Sequence, residues 1–107
     1  PGGGIALLNA SKYIKAKSEG EQVLLDAIKA PFKTILDNAG IIDYAEPKVK
    51  GYGLNVVTGN MVNMIKSGII DPLLVTKSAL QNAASVATTI LSTDCVINNL
   101  RIDESNR

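Results

Sequence analysis

The chain has 107 residues, 46% of them apolar and 20% charged, with a formal net charge of +1. That length supports at most one compact unit, burying about two-thirds of its unfolded surface, and the balance of residues points to neither a disordered polyelectrolyte nor a membrane protein. One Cys and no His exclude an internal disulfide and a Cys/His zinc site, and the lysines, scattered among carboxylates without interleaved aromatics, argue against a nucleic-acid surface. No secretory signal pattern is present, so a reducing, intracellular setting is expected. The opening PGGG has no methionine, as in a segment cut from a longer protein.

Gly2 to Gly4 lead into IALLNASKYIKAK, where Ile5, Leu8 and Tyr13 with Leu7, Ala10 and Ile14 predict a helix from about Gly4 to Lys17. Lys12, Lys15 and Lys17 gather toward its end, where cations suit the helix dipole. Ser18 to Gly20 read as a polar break. Val23, Leu24, Ala27, Ile28, Pro31, Phe32, Ile35 and Leu36 then recur at helical spacing, and Pro31 should kink or divide that helix because its ring clashes with the preceding turn and removes one hydrogen bond. Asn38, Ala39 and Gly40 make a plausible C-terminal cap.

Residues 41–51 read as loop, since Pro47 biases Glu46 away from helix. Tyr52 to Val57, with flanking glycines, predicts a short strand or hairpin. Met61 to Lys66 reads as a short helix with Met61, Met64 and Ile65 inward, stopped by Gly68. Asp71 is a good helix N-cap and Pro72 suits the first helical position. From there the pattern runs without Gly or Pro to Leu91, a helix of roughly 30 Å. Val75, Ala79, Ala83, Val86, Ala87 and Ile90 share one face, predicting a central helix closely packed by neighbours, while Lys77, Gln81 and Asn82 exclude a membrane span. Ser92 to Asp94 break the pattern, and Cys95 to Ile102 reads as a terminal strand needing a partner from a short hairpin or another chain.

The chemistry legible from residue types is sparse. A triple glycine opening a helix can bring backbone near a ligand and offers amides at the positive helix end, which suits a phosphate or ribose; a flexible turn or tight helix packing is the stronger explanation from residue types alone. Neither GxxxxGK[ST] nor GxGxxG is present. Asp71 as a cap, Asn55 as a turn residue and Cys95 as a small buried hydrophobe are structural readings that need no function. Without His, and with no second carboxylate near Asp71, no self-contained acid–base pair is evident.

PGGGIALL, YGLNVVTGNMVNMIKSGIIDP and VTKSALQNAASVATTILSTDCV, in that order, resemble a group I chaperonin of the GroEL type over nearly the whole chain. The resemblance implies a mainly α fold: the antiparallel helical bundle of the C-terminal half of the equatorial domain, with a short hairpin and a C-terminal strand that joins a sheet shared with an adjacent subunit. It implies ATP or ADP as ligand, with Gly3 against the nucleotide, Asn55, Val56 and Val57 lining the base pocket, Ile69 packed on adenine, and Asp71 accepting the ribose hydroxyls. The phosphate loop, the Mg2+-binding Asp and the water-activating Asp are expected outside this segment, in the N-terminal half and the intermediate domain, so no catalytic residue and no metal ligand is assigned here. The intact parent is expected to be an ATP-hydrolysing, cytoplasmic or organelle-matrix chaperone. It would form a homo-oligomeric ring of seven subunits and meet unfolded proteins and a co-chaperonin through other domains, with no nucleic-acid or membrane partner.

Some positions depart from the family pattern. Val56 and Val57 are bulkier than the small residues common after the pocket Asn and would narrow the base pocket. The stretch from Ala39 to Gly53 is short for the family and carries Ile41 where an acid is common, which weakens the expectation of a double ring. The chain ends at Arg107 without a Gly-Met-rich tail. The alternative reading is a non-enzymatic helical scaffold or oligomerisation domain. Gly3, Asn55, Ile69 and Asp71 together favour nucleotide binding, and the two valines favour the scaffold. With half of the equatorial core absent, the apolar faces of the long helix are expected to be left uncovered.

Overall fold

The computed structural model describes the backbone of residues 1–105 and the side chains through Thr93. The elements in order are α1 (Ile5–Tyr13), α2 (Glu19–Ala27), α3 (Ala30–Asn38), β1 (Tyr52–Leu54), β2 (Met61–Asn63) and α4 (Leu73–Ser105). The protein is thus mainly helical with one short antiparallel hairpin, as the sequence predicts. It divides into two compact units, residues 1–71 and 72–107. No helix among the described residues is long and apolar enough to cross a membrane.

In the first unit, α1 starts from the glycine turn and ends earlier than predicted. Ile14 turns to extended backbone while its N–H still closes the last turn on Ala10 O. Continuing to Lys17 would stack Lys12 and Lys15 on one face at i,i+3, a repulsive pairing. The next four residues instead launch α2. Ser18, extended, accepts the Glu21 N–H at 3.2 Å, and the Glu21 carboxylate turns back to the Lys17 N–H, an arrangement close to a capping box. Gly20 therefore lies inside a helix and not in a break.

Pro31 divides the second helical pattern as expected. Ile28 and Lys29 form the joint, and Pro31 falls in the first turn of α3, where its missing N–H costs no helix bond. The buried residues across the joint are Leu25, Ile28, Phe32 and Leu36, whereas Val23 and Leu24 face solvent. At the end of α3, Gly40 adopts φ 75°. Its N–H donates to Asp37 O at 3.0 Å and the Ile41 N–H to Leu36 O at 3.0 Å. This is the Schellman pairing, with Ile41 folded back beside Leu36.

The core of this unit is small: Ile5 and Leu8 from α1, Phe32 and Leu36 from α3, and Met64 just after β2. Each such side chain contributes about 1.5–3 kcal/mol by leaving water. The 41–51 loop is held against it by polar clips and an aromatic contact. Lys12 and Lys29 reach Glu46 at 3.8 and 3.7 Å, Lys12 also donates to Pro47 O, and Tyr44 meets Phe32 edge-on at 5.6 Å.

In the hairpin, Tyr52 pairs with Asn63, Gly53 with Val62 and Leu54 with Met61. This corrects the short helix predicted over Met61 to Lys66. Residues 61–63 are strand and 64–68 are turn, with Met64 buried but Met61 and Ile65 exposed. The apolar spacing at 61, 64 and 65 mimics one helical turn, yet the strand hydrogen bonds to β1 satisfy backbone groups that so short a helix would leave largely unpaired.

In the second unit, the Pro72 carbonyl accepts the Thr76 N–H at 3.2 Å and α4 begins at Leu73. The N-cap position is therefore Pro72, one residue later than predicted. The helix continues through Ser92 to Asp94 and on to Ser105, so the strand predicted over Cys95 to Ile102 is helical instead. No Gly or Pro interrupts this run, and an isolated strand would leave its backbone groups unpaired, whereas a helix satisfies them locally. Hydroxyls help the helix through its polar stretch: Thr88, Thr89 and Thr93 each donate to the carbonyl four residues back. Val75, Val86 and Ile90, on the face predicted to be closely packed, are exposed, as is Leu91; the predicted close packing is not formed, and these apolar positions are left uncovered.

Candidate functional site

The glycine turn is a tightly built piece of backbone. Gly3 and Gly4 have φ of 65° and 77°, conformations open to glycine and costly to residues with a Cβ. The turn is closed by the Ile5 N–H on Gly2 O at 3.1 Å. Gly2 is buried against the backbone of Ile69 and Ile70, its N–H donating to Ile69 O at 2.8 Å. That bond joins positions separated by most of the unit and brings Gly3 to the chain segment carrying Ile69 and Asp71.

The segment after the hairpin is fixed in turn. Asn63 Oδ1 accepts the Lys66 N–H at 3.1 Å, Gly68 turns at φ 75°, and the Ile69 N–H donates to Met64 O at 2.9 Å. Ile69 is partly buried against the core cluster, and Asp71 is exposed. Among the described residues no hydrogen bond to the Asp71 carboxylate is formed, so its oxygens are open to donors from a ligand.

Asn55 sits at the end of β1 and organises the hairpin loop. Its N–H donates to Asn60 O at 2.8 Å, its C=O accepts the Gly59 N–H at 2.7 Å, and its Oδ1 accepts the N–H groups of Val57 at 3.0 Å and Thr58 at 3.3 Å. The turn role read from the sequence is therefore real. It uses the acceptor end of the amide, while the Nδ2 end, with its two donors, has no partner among the described residues. Val57 is 90% exposed and Val56 40%, so both lie on the loop's outer surface.

Gly3 and the Ile69–Asp71 segment are thus brought together, and Asn55 is two residues from Gly53, whose backbone lies against Ile5 and Met64. Two cavities of this unit are lined by none of the predicted positions. One of ≈ 320 Å³ lies between α3, the 41–47 loop and the hairpin, with Phe32, Leu36, Tyr44 and Met61 among its walls. An open hollow of ≈ 570 Å³ is lined by Lys12, Lys15 and Lys29 among others. Residue types alone give Met64 as an inward residue and do not point to Gly53, which meets it closely; a glycine within a strand is the available signal, since it marks close approach of another group.

Residues 1–101 match the model of the TCP-1/cpn60 chaperonin family. The chain belongs to that family. Members of the chaperonin family are generally ATPases, and the match spans every segment just described, from the glycine turn through Asp71 and on along α4. Among the described residues no group of three or more Cys, Asp or Glu side chains is placed to hold a metal ion.

Proposed function

We propose that this chaperonin segment supplies the ribose and adenine side of an ATP site in an equatorial domain. It would serve a chaperone that hydrolyses ATP while folding other proteins. The observation that carries this reading is the 2.8 Å bond from the Gly2 N–H to Ile69 O. It brings the left-handed glycine turn, where backbone can approach a ligand closely, to the segment ending in the open Asp71 carboxylate. A carboxylate accepts two ribose hydroxyls with charge-assisted hydrogen bonds. Asn55 Nδ2 offers donors to a base, and Ile69 offers an apolar surface.

Mg2+ fits the donor set of this segment poorly, because among the described residues no group of acidic side chains is placed to hold a metal ion. The metal, the phosphate-binding groups and the water-activating carboxylate would come from chain outside these residues. The same reading places the parent in a seven-membered homo-oligomeric ring in the cytoplasm or an organelle matrix. Unfolded proteins and a co-chaperonin would be engaged by other domains.

A second reading, a scaffold that keeps the family's packing without nucleotide, is favoured by Val56 and Val57 standing where smaller residues would leave room for a base. Calorimetric titration of ATP into the full-length chaperonin separates the two. Wild-type binding is expected, with Asp71→Ala weaker by about 1–3 kcal/mol. No binding by the wild type favours the scaffold, and equal affinity of a folded Asp71→Ala protein removes the ribose role.

A further inference from the structure

We infer that Met64 is a positioning residue of the nucleotide site, the spacer that sets the glycine turn, the base of the Asn55 hairpin and the Ile69–Asp71 segment relative to one another. The inference rests on the ATP-site reading above. Met64 is 1% exposed, and each part of it engages a different segment. Its N–H donates to Gly51 O at 3.0 Å, at the entry to β1, and its C=O accepts the Ile69 N–H at 2.9 Å. Its side chain lies between two glycine backbones. A Cβ built on Gly3 would stand 2.8 Å from Met64 Cε, and one built on Gly53 would stand 3.1 Å from Met64 Sδ.

The Gly2 bond to Ile69 O at 2.8 Å closes the circuit. The segments carrying Gly3, Asn55 and Asp71 thus meet through one side chain and its own peptide groups. An unbranched thioether with three rotatable bonds suits such an irregular gap. Glycine at both contact points lets the backbones approach it without an intervening Cβ. Met64 does not line the surface that would face the nucleotide, so its influence on binding is through geometry. A ligand held by groups on separate segments is sensitive to small errors in their spacing.

The test uses the full-length chaperonin and fluorescent ADP, with affinity measured at a temperature where circular dichroism shows each variant folded. Met64→Ala empties the space between the glycines and is expected to weaken ADP about tenfold, a loss typical of a loosened positioning contact. Met64→Leu, a volume-conserving exchange that cores tolerate, replaces the linear thioether by a shorter branched end that loses the reach of Cε to Gly3 while keeping apolar bulk near Gly53, and about threefold weakening is expected. Leu36→Ala, a truncation in the same core at a side chain that does not meet Gly3, should lower the melting temperature while leaving ADP affinity within about twofold. If both Met64 variants melt earlier but bind ADP as the wild type does, or if Leu36→Ala loses affinity equally, Met64 is a core residue only and the inference is overturned. Should Met64→Ala fail to fold, the Met64→Leu affinity decides. Absence of ADP binding by the wild type overturns the ATP-site reading itself, a result distinct from equal binding by wild type and variant.

Discussion

Gly4 and Gly40 form a matched pair that separates two costs usually measured together. Their φ angles are 77° and 75°, so alanine at either carries nearly the same left-handed backbone penalty, about 1–2 kcal/mol. Their surroundings differ. A Cβ on Gly40 would meet nothing within 4 Å, whereas one on Gly4 would lie 2.5 Å from Phe32 N and 2.6 Å from Phe32 Cα. Those are backbone atoms of α3, so α1 and α3 would have to separate, and overpacking of that kind adds about 1–3 kcal/mol or more. Gly40→Ala should therefore cost about 1–2 kcal/mol and Gly4→Ala about 2–5 kcal/mol. Native-state hydrogen exchange of the α1 and α3 amides in the full-length protein reads the difference as a fall in local opening free energy. Equal losses in the two variants would refute the claim that close approach of α3, and not backbone conformation alone, requires glycine at position 4.

Asn55→Asp keeps the acceptor that holds the Val57 and Thr58 amides but removes the Nδ2 donors. Hairpin stability should change by less than about 1 kcal/mol while nucleotide affinity falls, and parallel loss of both would show that the turn role is the whole of its function. Ser18→Ala deletes the acceptor for the Glu21 N–H and should cost about 1 kcal/mol, visible as faster exchange in the first turn of α2 with the hairpin unaffected.

The elements legible in the sequence are those whose signals are local. Pro31 between two apolar runs, Gly40 after Leu36 and the glycines flanking the hairpin each mark a backbone event within a few residues, and each occurs where expected. Ser18 and Glu21 carry an equally local signal, the S-x-x-E spacing of a capping box, which places a helix start within the Ser18 to Gly20 stretch predicted as a polar break. The misread segments were short apolar stretches that fit two periodicities. Residues 61–65 match one helical turn and also a strand, and only pairing with Tyr52–Leu54 decides between them. Residues 95–102 have strand-favouring composition, but the helix begun at Leu73 meets no breaker before them. The site divides the same way. Gly3, Asn55, Ile69 and Asp71 are named as a set only through the resemblance to the chaperonin family, while the Gly2 bond to Ile69 O and the place of Met64 between two glycines arise from long-range folding that no local pattern encodes.

Because every predicted contact residue lies in residues 1–71 and that unit has a core of few side chains, its stability and its ligand occupancy should be strongly linked. Phe32 is 2% exposed, packs on Tyr44 and stands directly against Gly4. Phe32→Ala should cost about 3–5 kcal/mol through lost burial and the cavity left behind, enough to endanger a domain whose total stability is of order 5–15 kcal/mol. A ligand that binds only the folded form returns about 2.7 kcal/mol at a concentration one hundred times its dissociation constant. Saturating ADP should therefore recover a large part of the loss, raising the melting temperature of the full-length Phe32→Ala protein, and the recovery should shrink when Asp71→Ala is added. A nucleotide-dependent shift in wild type but none in Phe32→Ala, with both folded beforehand, would mean that the α1–α3 contact shapes the site directly. Equal shifts would mean that it acts only by keeping the unit folded.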